Sequence, residues 1–495
     1  MIRLPVIGAG ERVGAPHRLG RLRRQFVPPA VLLVAGSGGI ALLGGAWVAH
    51  PVAPKLVLAV LLAALMLVVG LIDPRGLLFA LVVWLAVLGL VRRLTGASDP
   101  TATFDPLLLI LPLAMVVLVL LAARAGAFRS WTPLAKAVAV LSSLVAIGAL
   151  NPLQGNIATG VAGLFFMGVP ILGFWVGRGL CDDATMRRLF HLIGALSVFA
   201  ALYGLAQTLR GFPTWDQAWI DRVLPGYHAL GIGTSVRPFG TFSAAAEYGF
   251  FLTTGLVVWL FFGLKTRRAP LTVFAVGILG VALLYQNTRT ALVLLVLALG
   301  LATAAHFKMP LAMGAIAGAV LLGLFFGLAS RWGSPSTSRT SSAAAVLVAH
   351  EVQGLANPLD PKDSTLLVHV SLVGQGLHSA LAHPLGVGDG AVTIASAKFG
   401  GLISATEVDL SNVAVALGVP GVLAYLAVLV IGLPKAYRSA VRRGDALSLV
   451  TLCVPVIMMS QWLTGGLYAV AFLPWLALGW LDRPEERQLV PSVPS

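Results

Sequence analysis

Apolar residues come in blocks of about twenty, separated by short polar or basic turns, the length an α-helix needs to cross the hydrocarbon core of a bilayer. These blocks predict helices near 29–49, 55–72, 76–91, 106–123, 133–150, 159–178 and 189–209. A second group is predicted near 244–263, 271–286, 289–305, 311–329, 412–432, 446–464 and 466–481. That makes about fourteen spans, or about twelve if the short early runs or the last pair are hairpins or half-spans. Two intervals break the rhythm, 210–243 and 331–411. The longer one opens with SPSTSRTSSAAA, a Ser/Thr-rich run that reads as a mobile stretch. Within it Leu366, Val370, Val373, Leu377 and Leu381 recur at helical spacing, predicting an amphipathic helix that ends at Pro384 and lies on a bilayer or caps a cavity.

The expected fold is all-α, a polytopic integral membrane protein. Its parts are a basic tail (1–28), an N-terminal bundle (29–209), central helices with a short external loop (210–330), a large external loop (331–411), C-terminal helices (412–482) and a short tail (483–495).

Composition supports this division. The chain is 58% hydrophobic and 11% charged, about half the charge fraction of a soluble domain. Its net charge of +15 would suit nucleic acid, but the arginines sit in short clusters between apolar runs. That is the distribution the positive-inside rule produces. With the tail (Arg3, Arg12, Arg18, Arg21, Arg23, Arg24) in the cytoplasm and the first run an uncleaved anchor, the turns 124–136, 178–188, 265–268, 306–308 and 435–443 also fall inside. All are basic, and both termini are cytoplasmic. Arg92–Arg93 is the exception, falling outside. Cys181 and Cys453, at a span end and inside a span, imply neither a disulfide framework nor a metal site. With no C-x-x-C or H-E-x-x-H, no metal or cofactor is expected.

Candidate chemistry lies on the external side. Arg237 in RPFGTFSAAAEYG and Arg289 in QNTRTA fall near one membrane face, and two guanidinium forks suit a phosphate or diphosphate. Each also reads as an arginine snorkelling to headgroups or pairing with a carboxylate. Glu407 and Asp409 precede a span two residues apart, so at most one faces a given pocket. Such a carboxylate is either a general base or a helix N-terminal charge. His369 and His383 are further candidate bases, although His383 adjoins Pro384 in a turn. Asp389 in GVGDG reads as a turn residue, and Glu247 as a buried charge.

RPFGTFSAAAEYGFFL resembles the R-x-x-G-T-F motif of the O-antigen ligase and O-antigen/exopolysaccharide polymerase superfamily. QNTRTALVLL is similar to that family's S-R-[GST]-A turn, with Thr288 in place of Ser. AHPLGVGDG resembles its H/N-P-L-x-G-V-G motif, and EVDLSNVAVALGVPGVLAYL its H-N-x-Y-L block with the following L-G-x-x-G. The likeness covers Arg237–Leu433. It implies transfer of a glycan from a polyprenyl-diphosphate-linked oligosaccharide to a growing glycan or lipid acceptor at the external face of the bacterial cytoplasmic membrane. It implies inversion, with no metal or nucleotide-sugar, and membrane lipids rather than nucleic acid as surroundings. Arg237 and Arg289 would bind the diphosphate, and Glu407 or Asp409 would serve as base.

Glu407 stands where family ligases carry His, with Val408 in place of the following Asn, which favours a polymerase over a ligase. His369 stands where an Arg often opens the preceding helix, so Arg331, Arg339 or protonated His369, with His383, would complete the cationic pocket. A ligase-type transfer to a lipid or protein acceptor is an alternative. A lipid-linked glycan flippase is another, and it would place ionisable residues and broken helices at mid-membrane.

Overall fold

The computed structural model describes residues 53–95, 105–224, 230–233, 235–263, 269–332, 342–402, 404, 408–463 and 467–484, all within the compact unit Pro51–Ser495. The helices are α1 (Ala53–Ile72), α2 (Pro74–Leu94), α3 (Ile110–Arg124, entered through a 3-10 turn Pro106–Leu109), α4 (Pro133–Gly148), α5 (Ile157–Leu180), α6 (Asp183–Arg210) and α7 (Thr214–Val223). There follow α8 (Ala245–Val258, ending in a π-turn Trp259–Gly263), α9 (Ala269–Gln286), α10 (Arg289–His306), α11 (Leu311–Ala329), α12 (Ala343–Ala356), α13 (Leu366–Ala382), α14 (Ala395–Phe399), α15 (Asp409–Arg443), α16 (Ala446–Ile457) and α17 (Phe472–Leu481). A two-stranded antiparallel ribbon, β1 (Gly231–Ile232) with β2 (Ser235–Val236), lies between α7 and α8.

Polar residues at the turns start the helices. Asp73, Thr132, Asn156, Asp182 and Asp445 each accept a hydrogen bond from a backbone N–H of the following first turn. Pro74 and Pro133 occupy first-turn positions whose N–H groups need no partner. Among the described residues, ten helical segments are long and apolar enough to cross a membrane. Ile316, Val320, Leu324 and Leu328 form an exposed stripe along α11, and Leu61, Leu65, Val68 and Ile72 another along α1. Water would not tolerate such surfaces, whereas lipid requires them. The protein is a multi-pass, all-α membrane protein.

Each predicted span within the described residues coincides with a helix; the one near 29–49 lies outside them. The last two are short. α16 stops at Ile457 after 12 residues and α17 runs only 10 residues from Phe472, so each is shorter than a full span. The interval 331–411 is not an open loop. It holds α12, α13 and α14, and α13 packs on α15, where a Cβ at Gly376 would overlap Ser411. The apolar stripe of α13 faces away from the protein, with Leu366, Val370, Leu377 and Leu381 exposed and Gly376 and Ala380 buried. The helix therefore presents its greasy face outward and caps no cavity with it. The Ser/Thr-rich run before α12 lies largely outside the described residues.

The core is tightest where α5 crosses α17. Gly173 and Gly177 let the α17 backbone approach so closely that a Cβ at Gly177 would overlap the Leu476 carbonyl. Phe174, Trp462, Trp475 and Trp480 are fully or almost fully buried around this crossing. Gly177→Leu should therefore lower stability by about 3 kcal/mol, the upper end of overpacking costs. Thermal unfolding in detergent measures this; an unchanged Tm would show that the crossing can open without penalty.

Candidate functional site

The site grows from the tight turn between α9 and α10. Asn287 takes left-handed backbone angles there (φ 61°), which Asn tolerates better than most residues. Gln286 braces the turn: its Oε1 accepts from Thr288 N at 2.9 Å, and its Nε2 donates to Thr288 Oγ1 at 2.6 Å and to the Ala245 carbonyl. Arg237, buried, docks on the same turn. Its Nε donates to Gln286 O at 2.9 Å and its Nη2 to Thr288 Oγ1 at 2.6 Å. Arg289 is the next residue. Two arginines far apart in sequence thus share one turn.

α12 closes over Arg289. The guanidinium donates to Asp363 O at 2.8 Å and to His350 O at 2.6 Å, and its Nε lies 3.7 Å from Glu351 Oε2. Gly354 makes room for it, since a Cβ there would overlap Arg289 Cζ. Asn287 Nδ2 donates to Leu347 O at 2.8 Å, so its Oδ1 faces His350 Nδ1 at 2.9 Å. Arg289 Nη2 reaches the same ring, 3.0 Å from Nδ1 and 3.3 Å from Nε2. Burial, then the positive charges of Arg289 and Arg237, lower the His350 pKa to about 4, so the ring is neutral at pH 7. Glu351 is fully buried, and neither carboxylate oxygen has a hydrogen-bond partner among the described residues. Burial raises its pKa to about 7 against the pull of the two arginines. A buried and a half-buried guanidinium thus stand beside a buried carboxyl group.

The segment carrying Arg237 is held from behind by Arg92 and Arg93. Arg93, fully buried, pairs with Asp216 at 2.6 Å and donates to Phe242 O at 2.5 Å and Gly240 O at 2.7 Å, with the Phe239 ring 4.7 Å away. Gln207 Oε1 accepts from Phe239 N at 3.1 Å and Gly240 N at 2.8 Å, while its Nε2 donates to Asp216 at 2.7 Å. Arg92 pairs with Asp105 at 2.7 Å and donates to Ser243 Oγ at 3.0 Å. This explains the one basic turn that broke the charge pattern: both arginines are buried structural ions. Glu247 is likewise a brace, accepting from Ser243 N at 3.3 Å and Ala469 N at 2.5 Å.

The AHPLGVGDG segment docks elsewhere, into a break in α15. Gly418 takes φ 64°, ψ −154°, which interrupts the helix. The carbonyls freed by the break are taken up: Val387 N donates to Val415 O at 2.9 Å, and Gly388 N to Ala416 O at 3.0 Å. Asp389 does not shape a turn through its side chain as expected. Its carboxyl group is fully buried, and its oxygens have no hydrogen-bond partner among the described residues. Burial raises its pKa well above the usual carboxylate range.

The remaining expected residues are dispersed. Asp409 is fully buried and accepts from Trp462 N, from Leu463 N at 3.1 Å and from Tyr425 OH at 3.1 Å. Those hydrogen bonds occupy both carboxylate oxygens and tie α15 to the chain after α16, so Asp409 serves as a brace. Glu407 and Arg339 lie outside the described residues. His383 and Arg331 are exposed. His369 is half-buried one turn into α13, with Nε2 3.4 Å from Thr365 Oγ1. The structure thus brings Arg237 and Arg289 together and adds His350 and Glu351, which sequence reasoning missed. Their signal was an acidic residue inside the apolar run VLVAHEVQGLA.

Glu351 should leave a pH signature. Its folded pKa of about 7 exceeds the ordinary 4.5, so its contribution to stability is fully present below pH 4.5 and is lost as pH rises through 7. Glu351→Gln removes that loss. The Tm of the variant relative to the parent should therefore climb between pH 5 and pH 8; a pH-independent difference would contradict this reading of Glu351. No protein-family model and no curated protein matches the chain.

Proposed function

We propose that the protein is an inverting membrane glycosyltransferase of the O-antigen/exopolysaccharide polymerase type. It moves a glycan from a polyprenyl-diphosphate donor to a sugar hydroxyl at the external face of the bacterial cytoplasmic membrane. The observation that carries this reading is the joining of Arg237 and Arg289 through Thr288 at one end of the spans. Arg237 donates to Gln286 O and Thr288 Oγ1 and Arg289 to Asp363 O and His350 O, all neutral oxygens, and Glu351, at ion-pair distance from Arg289, stands at 3.7 Å. A diphosphate is a stronger, doubly charged acceptor for the same donors.

The chemistry is a single displacement. A base takes the acceptor hydroxyl proton as the oxygen attacks the anomeric carbon, and the bond from that carbon to the diphosphate breaks with inversion. Negative charge develops on the departing diphosphate, where fixed cations act most strongly. Glu407 is the base in this reading, because Asp409 is occupied by Trp462, Leu463 and Tyr425. Glu351 balances the arginine pair when no donor is bound, and its protonation frees them for the diphosphate.

A flippase would use the break in α15 as an ion or substrate site. Here Val387 and Gly388 occupy the carbonyls Val415 O and Ala416 O, which favours a transferase. In a deletion strain, Arg289→Ala or Glu407→Gln should cut polymer formation by about a hundredfold or more, with single repeat units accumulating on the lipid carrier. Mass spectrometry of the surface polysaccharide and the lipid-linked pool measures this. Full-length polymer stranded on the lipid would indicate a ligase, and an unchanged profile would reject glycosyl transfer through these residues.

A further inference from the structure

A second site lies at the opposite end of the spans. α10 begins at Arg289 and ends at His306, and the turn after it, together with the start of α4 and the last turns of α15, encloses a cleft of about 900 Å³. Its apolar lining includes Met309, Pro310, Ile431, Pro434 and Val441. Three of its cations, Lys308, Arg438 and Arg442, are exposed and have no carboxylate at ion-pair distance among the described residues. Arg438 uses only its Nε, on Pro434 O at 3.2 Å. The acid in the lining, Asp482, is already consumed: it pairs with Lys435 and with Arg178 at 3.1 Å and accepts from Thr132 Oγ1 at 2.5 Å.

This arrangement concentrates like charge at one place. Arg438 and Arg442 are four apart on one helix, neighbours of like charge, and Lys308 lines the same cleft. An anion seated on these three cations would relieve that repulsion. The anion must also have an apolar body, because the floor is hydrocarbon and adjoins the outward-facing Leu311 and Met313 of α11. A phosphate group on a diacylglycerol meets both demands, and basic pockets between membrane helices suit such headgroups. We propose that this cleft binds an anionic phospholipid, with its phosphate on Lys308, Arg438 and Arg442 and its glycerol and proximal acyl carbons over the apolar floor. The proposal stands independently of the glycosyltransferase reading.

The test is native mass spectrometry of the full chain, titrated in detergent with dioleoylphosphatidylglycerol, dioleoylphosphatidylcholine or inorganic phosphate. One phosphatidylglycerol should bind at least tenfold more tightly than phosphatidylcholine. The variant Lys308→Gln/Arg438→Gln/Arg442→Gln should lose that preference, and Arg442→Gln alone should lose part of it. Arg124→Gln/Arg129→Gln/Arg188→Gln, which removes the same charge from exposed positions outside the cleft, should retain it. Equal loss in both triple variants would reduce the effect to overall basicity and overturn the site. So would equal binding of phosphatidylcholine, or displacement of the lipid by millimolar inorganic phosphate.

Discussion

Arg93, fully buried at the end of α2, fixes the position of the segments that pack against it at its end of the bundle. A buried guanidinium is tolerable only when paired and hydrogen-bonded, and removing a partner from such a pair costs about 3–5 kcal/mol. Arg93 meets that demand with Asp216 and with the carbonyls of Gly240 and Phe242. Those carbonyls belong to the segment that carries Arg237, so satisfying one arginine sets the path of the chain that delivers another. Arg237 then spends its own donors on the Gln286–Thr288 turn, and that turn starts the helix headed by Arg289. Each step is the same requirement repeated: an ion inside an apolar bundle must find its partners.

The two ends of the bundle meet this requirement differently. At the Arg237 end, cations are buried or half-buried and engaged with backbone oxygens and with Glu351. At the other end, Asp482 gathers Arg178 and Lys435, while Lys308, Arg438 and Arg442 stay at the surface. Buried, braced arginines suit a fixed diphosphate; exposed ones beside a greasy cleft suit a lipid headgroup. The break in α15 is a third device. Gly418 interrupts the helix so that the Pro384–Gly388 segment can bond to its carbonyls, which makes that motif a structural clasp.

The spans were legible because length and hydropathy alone decide them, and polar caps such as Asp73 and Asn156 mark where they begin. The pairing of Arg237 with Arg289 was half legible: topology put both at one end, but only the Thr288 and Gln286 hydrogen bonds join them. The role of Arg92–Arg93 was visible only as a misfit in the charge pattern, since Asp105 and Asp216 are distant or unremarkable in sequence. α12 was missed because Ala and Ser around Arg339–Ala345 read as a polar loop, hiding a helix whose buried face carries Glu351. Asp409 misled because its burial depends on Trp462 and Leu463, more than fifty residues away.

The central claim is that Arg237 and Arg289 form one diphosphate site. Binding of geranylgeranyl diphosphate to the purified full-length protein, followed by phosphorus NMR in detergent with the monophosphate as control, tests it most directly. The account predicts that the diphosphate binds in preference to the monophosphate. Arg237→Ala and Arg289→Ala should each weaken binding at least about tenfold, as loss of a charge-assisted contact does. Equal binding by the parent and both variants would contradict it.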